Sequence, residues 1–245
     1  MSSVAEQLDV RISKRYSGLH PFTLDVSFTI SDEIAVTFGA SGAGKTTILE
    51  CISGLSAPDG GRVALGDSVL FDSAAKRNIA VRERRVGYVF QTLALFPHLT
   101  AKQNIAYGLQ NLDPAERQQR IAEVLEAFCI THVKERKPAA MSGGEQQRVA
   151  LARSLVTEPR ILLLDEPMSA LDYETKTGIL ADLRRWHSQH RIPVLYVTHS
   201  IDEVFAIGNR VLRLSEGNIV ADGKPAEVLA VELERLKKDL QSAGN

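Results

Sequence analysis

Cysteine is nearly absent from this sequence. Cys51 and Cys129 are the two in 245 residues, and no CxxC pair exists. That excludes a disulfide framework and gives no cysteine-based zinc site. Two isolated thiols suit a reducing cytosol, where they act as small apolar residues in helices. A surplus of charge is missing too: Lys and Arg number 29 against 30 Asp and Glu, a formal net charge of −1. No chain-wide electrostatic hold on nucleic acid is therefore expected, which leaves room for a local patch only. No apolar run approaches the ~20 residues needed to span a bilayer. Residues 1–10 lack the basic-then-apolar order of a secretory signal. Any membrane role is expected to come through a partner. Internal repeats and low-complexity tracts are also absent.

What remains is the profile of an ordinary globular protein, 44% hydrophobic and 24% charged, long enough for a sizeable core. Phe22, Leu24, Val26, Phe28 and Ile30 alternate, which predicts a half-buried strand. Ile34 to Phe38 is a short strand ending at Gly39, and a helix should follow from Lys45. Arg62 to Leu65 and Val69 to Phe71 read as a hairpin about Gly66-Asp67, and Val86 to Phe90 as another strand. From about Thr92 to Pro159 the pattern turns helical, with Ile121, Val124, Leu125 and Phe128 on one face of a helix from Ala115. Strands return at Ile161 to Leu164 and Val194 to Thr198. These are continuous apolar runs, as expected of parallel strands covered on both faces, and a helix from Leu171 to His190 lies between them. Val211 to Leu214 and Ile219 to Ala221 finish the sheet. Pro225 then opens a last helix over about 225–241 carrying Leu229, Leu233, Leu236 and Leu240.

Two stretches carry chemistry. Gly39-Ala40-Ser41-Gly42-Ala43-Gly44-Lys45-Thr46-Thr47 matches G-x-x-x-x-G-K-[ST] between a strand and a helix. The glycines let backbone N–H groups wrap a β-phosphate, and the helix N-terminus adds favourable dipole charge. Lys45 would reach the β- and γ-phosphates, and the Thr46 hydroxyl would ligate Mg²⁺. The second stretch is Ile161-Leu162-Leu163-Leu164-Asp165-Glu166, an apolar strand ending in two carboxylates. Beside a phosphate loop, Asp165 suits Mg²⁺, directly or through water. Glu166 can polarise an attacking water. Taken alone, an adjacent Asp-Glu is as readily a solvated strand end; the phosphate loop is what tips it.

Many NTPases share those two stretches. Met141-Ser142-Gly143-Gly144-Glu145-Gln146-Gln147-Arg148 narrows the class, since it resembles the LSGGQ signature of ABC ATPases, with Met for Leu and Glu145 for Gln. By local physics Ser142 and Glu145 form a capping box opening a helix from Gln146 to Thr157. The resemblance adds that Ser142, Gly143 and Gly144 face a γ-phosphate held by a second subunit. It further implies that Gln91 is the Q-loop link to Mg²⁺, water and the membrane partner. Ser169-Ala170-Leu171-Asp172 matches the D-loop of the dimer interface, His199 the switch histidine, and Tyr16 is similar in placement to the aromatic that stacks on adenine. The catalytic set is then Glu166, His199, Gln91 and Lys45, and the metal set Thr46, Gln91 and Asp165.

The resemblance runs from Leu8 to about Asp222. Phe38-Gly39-Ala40-Ser41-Gly42-Ala43-Gly44-Lys45-Thr46, Arg84-Arg85-Val86-Gly87-Tyr88-Val89-Phe90-Gln91, Leu95-Phe96-Pro97-His98, Ser142-Gly143-Gly144-Glu145 and Ile192-Pro193-Val194 through Ser200 look like the ATPase of molybdate importers. Those ATPases usually carry a C-terminal oxyanion-binding domain, and this sequence stops at Asn245. Weak dimerisation without ATP or permease, and no direct inhibition by oxyanion, would follow.

The expected protein is one ABC ATPase domain over 1–245 with an α/β fold. A RecA-like P-loop NTPase core with a mixed sheet takes about 1–91 and 159–228, and an inserted helical subdomain about 92–158. ATP and Mg²⁺ would be its cofactors. Two copies would sandwich ATP, drive transmembrane permease subunits from the cytoplasmic face of the membrane, and serve a periplasmic or extracellular solute-binding protein indirectly, with no nucleic acid. Leu95-Phe96-Pro97 suits either a socket for a permease helix or subdomain core. The alternative, a soluble ABC ATPase acting on DNA or the ribosome, usually carries a long coiled coil between cradle and signature. The stretch between Thr47 and Met141 holds no sustained heptads. A non-catalytic ATP-binding module is disfavoured by Glu166, Gln91 and His199 together.

Overall fold

The computed structural model describes residues 6–18 and 21–234. The chain opens on β1 (Leu8–Tyr16), β2 (Phe22–Ile30) and β3 (Ile34–Phe38), then enters α1 (Lys45–Ser53). β4 (Gly60–Leu65), β5 (Ser68–Asp72), the two-residue β6 (Arg77–Asn78) and β7 (Val86–Val89) follow. Helices α2 (Ala101–Ala106), α3 (Pro114–Ala127) and α4 (Gly143–Leu155) precede β8 (Ile161–Asp165). Then come α5 (Tyr173–His190), β9 (Val194–Thr198), α6 (Ile201–Ile207), β10 (Arg210–Ser215), β11 (Asn218–Gly223) and α7 (Pro225–Val228).

Among the described residues, 11 strands join one mixed sheet in the order β6-β5-β4-β1-β2-β11-β10-β3-β9-β8-β7. Neighbours from β10 to β7 are parallel, and those from β6 to β2 are antiparallel. The parallel strands are covered on both faces, and their side chains divide by parity. Ile161, Leu163, Leu195 and Val197 join a core with Ile48, Leu49 and Ile52 of α1. Leu162, Leu164, Val194 and Tyr196 join a second core with Val149 and Leu151 of α4 and Leu183 of α5. Leu8, Val10 and Val63 belong to the α1 core as well, so the antiparallel half curls over that helix. The result is the α/β fold expected, with α1 held between two halves of one sheet. No helix among the described residues is long and apolar enough to cross a membrane.

Several elements differ from their sequence reading. β1 was not anticipated, because Lys14 and Arg15 obscure the alternation of Leu8, Val10 and Ile12, which are at most 2% exposed. The helix expected from Gln146 starts at Gly143, since Ser142 is itself the N-cap and its box with Glu145 closes over the first turn. The helix expected from Leu171 starts at Tyr173 behind the N-cap Asp172. The single C-terminal helix is broken: α7 ends at Val228, Leu229 is buried in a turn, and helix resumes over 230–234. Leu236 and Leu240 lie outside the described residues. Leu95 and Phe96 are half-buried, with the Phe96 ring 4.4 Å from that of Tyr107. Cys51 is buried in α1, where burial pushes its thiol up to about 11. Cys129 is instead exposed, just past the end of α3.

α1 is fixed at its C-terminal end by a buried cation. Arg84, 1% exposed, donates to the carbonyls of Cys51 (3.1 Å), Ile52 (2.7 Å) and Ile79 (2.9 Å) and to Asn78 Oδ1 (2.6 Å). A cation against the last carbonyls of a helix is favoured by the helix dipole as well as by the bonds. Arg84→Met strips those interior carbonyls of their donors. It should lower the unfolding free energy by about 2–4 kcal/mol, read as a lower urea midpoint at constant slope. A loss below about 0.5 kcal/mol would contradict this role for the guanidinium.

Candidate functional site

The phosphate loop is shaped by where β3 stops and α1 starts. Gly44 is the N-cap of α1 at φ 103°, and no side chain caps that end. A Cβ at Gly44 would meet Phe22 Cζ at 2.8 Å, so both the left-handed backbone and the close approach demand glycine. Uncapped first-turn N–H groups at a helix start make an anion cradle. Lys45 lies folded along it. Its ammonium donates to the carbonyls of Gly39 and Ala40, both at 2.9 Å, and stands 3.5 Å from Glu166 Oε1.

β8 delivers the two carboxylates. Asp165 is its last residue and 7% exposed. Thr46 Oγ1 donates to Asp165 Oδ1 at 3.0 Å, and the Tyr88 hydroxyl donates to Oδ2 at 3.4 Å. Burial pushes the Asp165 carboxyl above its usual range, while the bonds from Thr46 and Tyr88 oppose the shift. Burial, and next the Asp165 charge, push the Tyr88 phenol up, which keeps it a donor. A hydroxyl beside a carboxylate is a hard oxygen pair of the kind Mg²⁺ takes. Glu166 leaves the strand at φ 42°, a strained value for a side-chain-bearing residue. That turn sets its carboxylate between two groups, Lys45 and His199, whose Nδ1 is 3.1 Å from Glu166 Oε2. The structure thus brings Lys45, Thr46, Asp165, Glu166 and His199 into one cluster, from α1, β8 and the end of β9.

A second cluster forms at the start of α4. Ser142 Oγ accepts from the Glu145 N–H at 3.2 Å, and Glu145 Oε2 accepts from the Ser142 N–H at 2.7 Å. The bond from the Ser142 backbone holds the Glu145 carboxyl below its usual range, helped by His132, whose Nε2 is 3.0 Å away. Gly144 packs so closely on α5 that a Cβ would fall 2.4 Å from Thr175 Cγ2, and one at Gly143 would touch Leu171 at 3.3 Å. Asp172, whose Oδ1 caps α5 through the Thr175 N–H (2.9 Å), therefore sits with Ser142, Gly143 and Gly144. No hydrogen bond or ion pair among the described residues joins this cluster to Lys45 and Glu166.

The remaining positions fall around these two groups. Thr47 lies in α1 behind Thr46. Ala40, Ser41, Gly42 and Ala43 line a cleft of about 840 Å³ together with Phe22 and Arg213; this cleft flanks the outer side of the loop and does not include Glu166. Tyr16 ends β1, is 41% exposed, and faces Phe22 across the strand pair with ring centroids 6.3 Å apart. Gln91 is exposed in the turn after β7. That turn holds two left-handed residues, Leu93 and Ala94, whose carbonyls accept from Arg153 of α4 at 2.8 and 2.7 Å. Phe22, Tyr88 and Arg153 were not singled out as site residues from sequence. Phe22 sits on a strand whose alternation marked it as structural, and Tyr88 on a stretch read only as another strand. Arg153 reads as one more charge on an amphipathic helix.

The chain resembles known proteins along most of its length. A family profile described as ABC transporter matches residues 23–169. The molybdenum import ATP-binding protein ModC of Rhodospirillum rubrum is 42% identical over 223 residues, which is 91% of this chain and 60% of that protein. The chain therefore spans about 60% of the length of that relative. The molybdate/tungstate import ATP-binding protein WtpC of Archaeoglobus fulgidus is 42% identical over 225 residues, covering 92% and 90%. Among solved structures, the dimeric post-hydrolysis cassette MJ0796 bound to ADP and Pi superposes with a TM-score of 0.76 at 30% identity, covering 89% of this chain and 98% of that one. The cbiO1 protein from Clostridium perfringens, part of the ABC transporter complex cbiONQ, gives 0.81 at 28% identity, covering 95% and 94%. The matched profile spans the phosphate loop, the signature turn and the carboxylate strand; this chain belongs to the ABC transporter family, as one of its ATP-binding cassettes.

Proposed function

We propose that this chain binds and hydrolyses ATP to power import of molybdate or tungstate through separate permease subunits, from the cytoplasmic face of the membrane. The observation that carries the reading is the Glu166 carboxylate held between Lys45 and His199, one residue from the Thr46–Asp165 pair. The cradle 39–44 and Lys45 bind the phosphates, and the adenine stacks on Tyr16. Thr46 and Asp165, with Gln91, would hold Mg²⁺, which when bound neutralises charge on the phosphate oxygens. Glu166 orients a water in line with the γ-phosphorus and takes its proton as the new P–O bond forms and the bond to the ADP oxygen breaks. His199 steadies Glu166 and the γ-phosphate. Molybdate or tungstate as cargo follows the import proteins it resembles, which also favour transport over a DNA- or ribosome-bound role.

The separation of the two clusters supports a paired arrangement. Ser142, Gly143 and Gly144 form a helix start suited to an anion, yet Gly143 and Gly144 lie against Leu171 and Thr175 and not against their own phosphate loop. They complete the site of a second copy, with Asp172 at the seam. The Leu93–Ala94 turn and the half-buried Leu95 and Phe96 offer the docking face for a permease helix.

Glu166→Gln should keep nucleotide affinity and lose on the order of 10²- to 10⁴-fold in turnover. Phosphate release beside titration of a fluorescent ATP analogue measures both, and near-normal hydrolysis would remove Glu166 from the role of base. The paired site has a separate test. Ser142→Arg and Lys45→Ala subunits, each inactive alone, should regain hydrolysis when mixed, because such a heterodimer keeps one intact composite site. Wild-type turnover by chains that remain monomeric under sizing would rule the pairing out.

A further inference from the structure

Behind the site lies a buried carboxylate that none of these roles uses. Glu203, in the first turn of α6, is 2% exposed. Its Oε2 accepts from the Tyr196 hydroxyl at 2.8 Å and from Thr198 Oγ1 at 2.7 Å, and its Oε1 pairs with the Lys176 ammonium at 2.7 Å. A carboxyl group in the interior is tolerated only when its oxygens are satisfied, and here both are. The three donors come from two elements, and α6 supplies the acceptor.

The placement of those donors is informative. Tyr196 and Thr198 are alternate residues of β9, and the strand ends one position before His199. Thr198 Oγ1 also accepts from the Ser200 N–H at 3.0 Å. The backbone on both sides of His199 is therefore tied, through one hydroxyl, to Glu203. Lys176 lies in α5, four residues after its N-cap Asp172, whose carbonyl accepts the Lys176 N–H at 3.0 Å. The same carboxylate thus touches the strand that carries His199 and the helix that opens at Asp172. His199 itself is exposed, and among the described residues its one side-chain hydrogen bond is to Glu166.

We propose that Glu203 is a positioning residue for ATP hydrolysis: it fixes the His199 backbone relative to Glu166 and, through Lys176, ties that position to the Asp172 turn. This rests on the assignment of His199 and Glu166 above. A network that merely stabilised the fold would act on the folded fraction, whatever residue stood at 199. A positioning network acts through His199 and becomes silent without it.

The test is steady-state ATP hydrolysis by the full chain as wild type, Glu203→Gln, His199→Ala and the double variant, with urea midpoints for each. Glu203→Gln should lose about ten- to a hundredfold in kcat, with KM for ATP within about twofold, and should add no further loss to His199→Ala. Lys176→Met, at a position less deeply buried, serves where Glu203→Gln folds poorly: it should lower kcat less, and again only when His199 is present. A normal kcat in both single variants while His199→Ala is slow would overturn the proposal, as would losses that multiply in the double variant. If His199→Ala hydrolyses at the wild-type rate, the assignment of His199 fails and Glu203's role fails with it, an outcome distinct from the other two.

Discussion

A nearly buried carboxylate at the end of a strand is the constraint on which this structure turns. Asp165 closes a run of four fully buried apolar residues, and the interior would reject it without donors. Thr46 and Tyr88 supply them, one from α1 and the other from β7. For those bonds to exist, α1 must leave the phosphate loop in one direction and lie at one height against β8. Arg84 at the far end of α1 holds the same helix against the chain before β7. The helix is thus pinned at both ends by polar groups, and the apolar core between them fills the rest. The cradle is placed by these bonds, since its own glycines specify shape and not location.

Several polar groups inside this protein sit where two elements meet. Glu203 joins α6, β9 and α5. Arg148 of α4 donates to the Phe128 carbonyl and to Asp182 of α5, and Arg185 reaches the same aspartate. Arg153 binds the turn after Gln91 to α4. Each lies between elements that carry different parts of the site. Apolar contacts tolerate sliding; a buried charge with three partners does not. Three of the left-handed non-glycine residues, Glu166, Leu93 and Ala94, fall beside the site, where surrounding bonds hold the backbone.

Much of this was legible in the residue order. β8 and β9 declare themselves because both faces are covered, so every position is apolar. The phosphate loop is readable because its glycines answer a geometric demand at fixed spacing, and Asp165 and Glu166 because charge after such a run is conspicuous. β1 was hidden, since its outward positions carry basic residues and its last residues are exposed. The Ser142–Glu145 capping box was legible, yet its helix begins at Gly143 and not after the box at Gln146, and Asp172 caps the helix that was expected to include it. Tyr88, Phe22, Arg153 and Glu203 could not be picked out, because their importance lies in what approaches them from distant sequence. Glu203 in particular is one of two adjacent acids in a stretch where no element was read from sequence, and its burial and three partners separate it from Asp202.

The parity of β8 bears on how this chain can change over evolutionary time. Its side chains alternate between two filled cores, Ile161 and Leu163 to one, Leu162 and Leu164 to the other. A single residue inserted within 161–165 would move the side chains on one side of it to the opposite core, or turn Asp165 away from Thr46. Substitutions there can be absorbed one at a time; a change of length cannot. The turn 73–76 between β5 and β6 carries no such parity, and all four of its residues are exposed. Length variation should therefore gather at that edge of the sheet, while the strand bearing the carboxylates keeps its count of residues even where their identities drift.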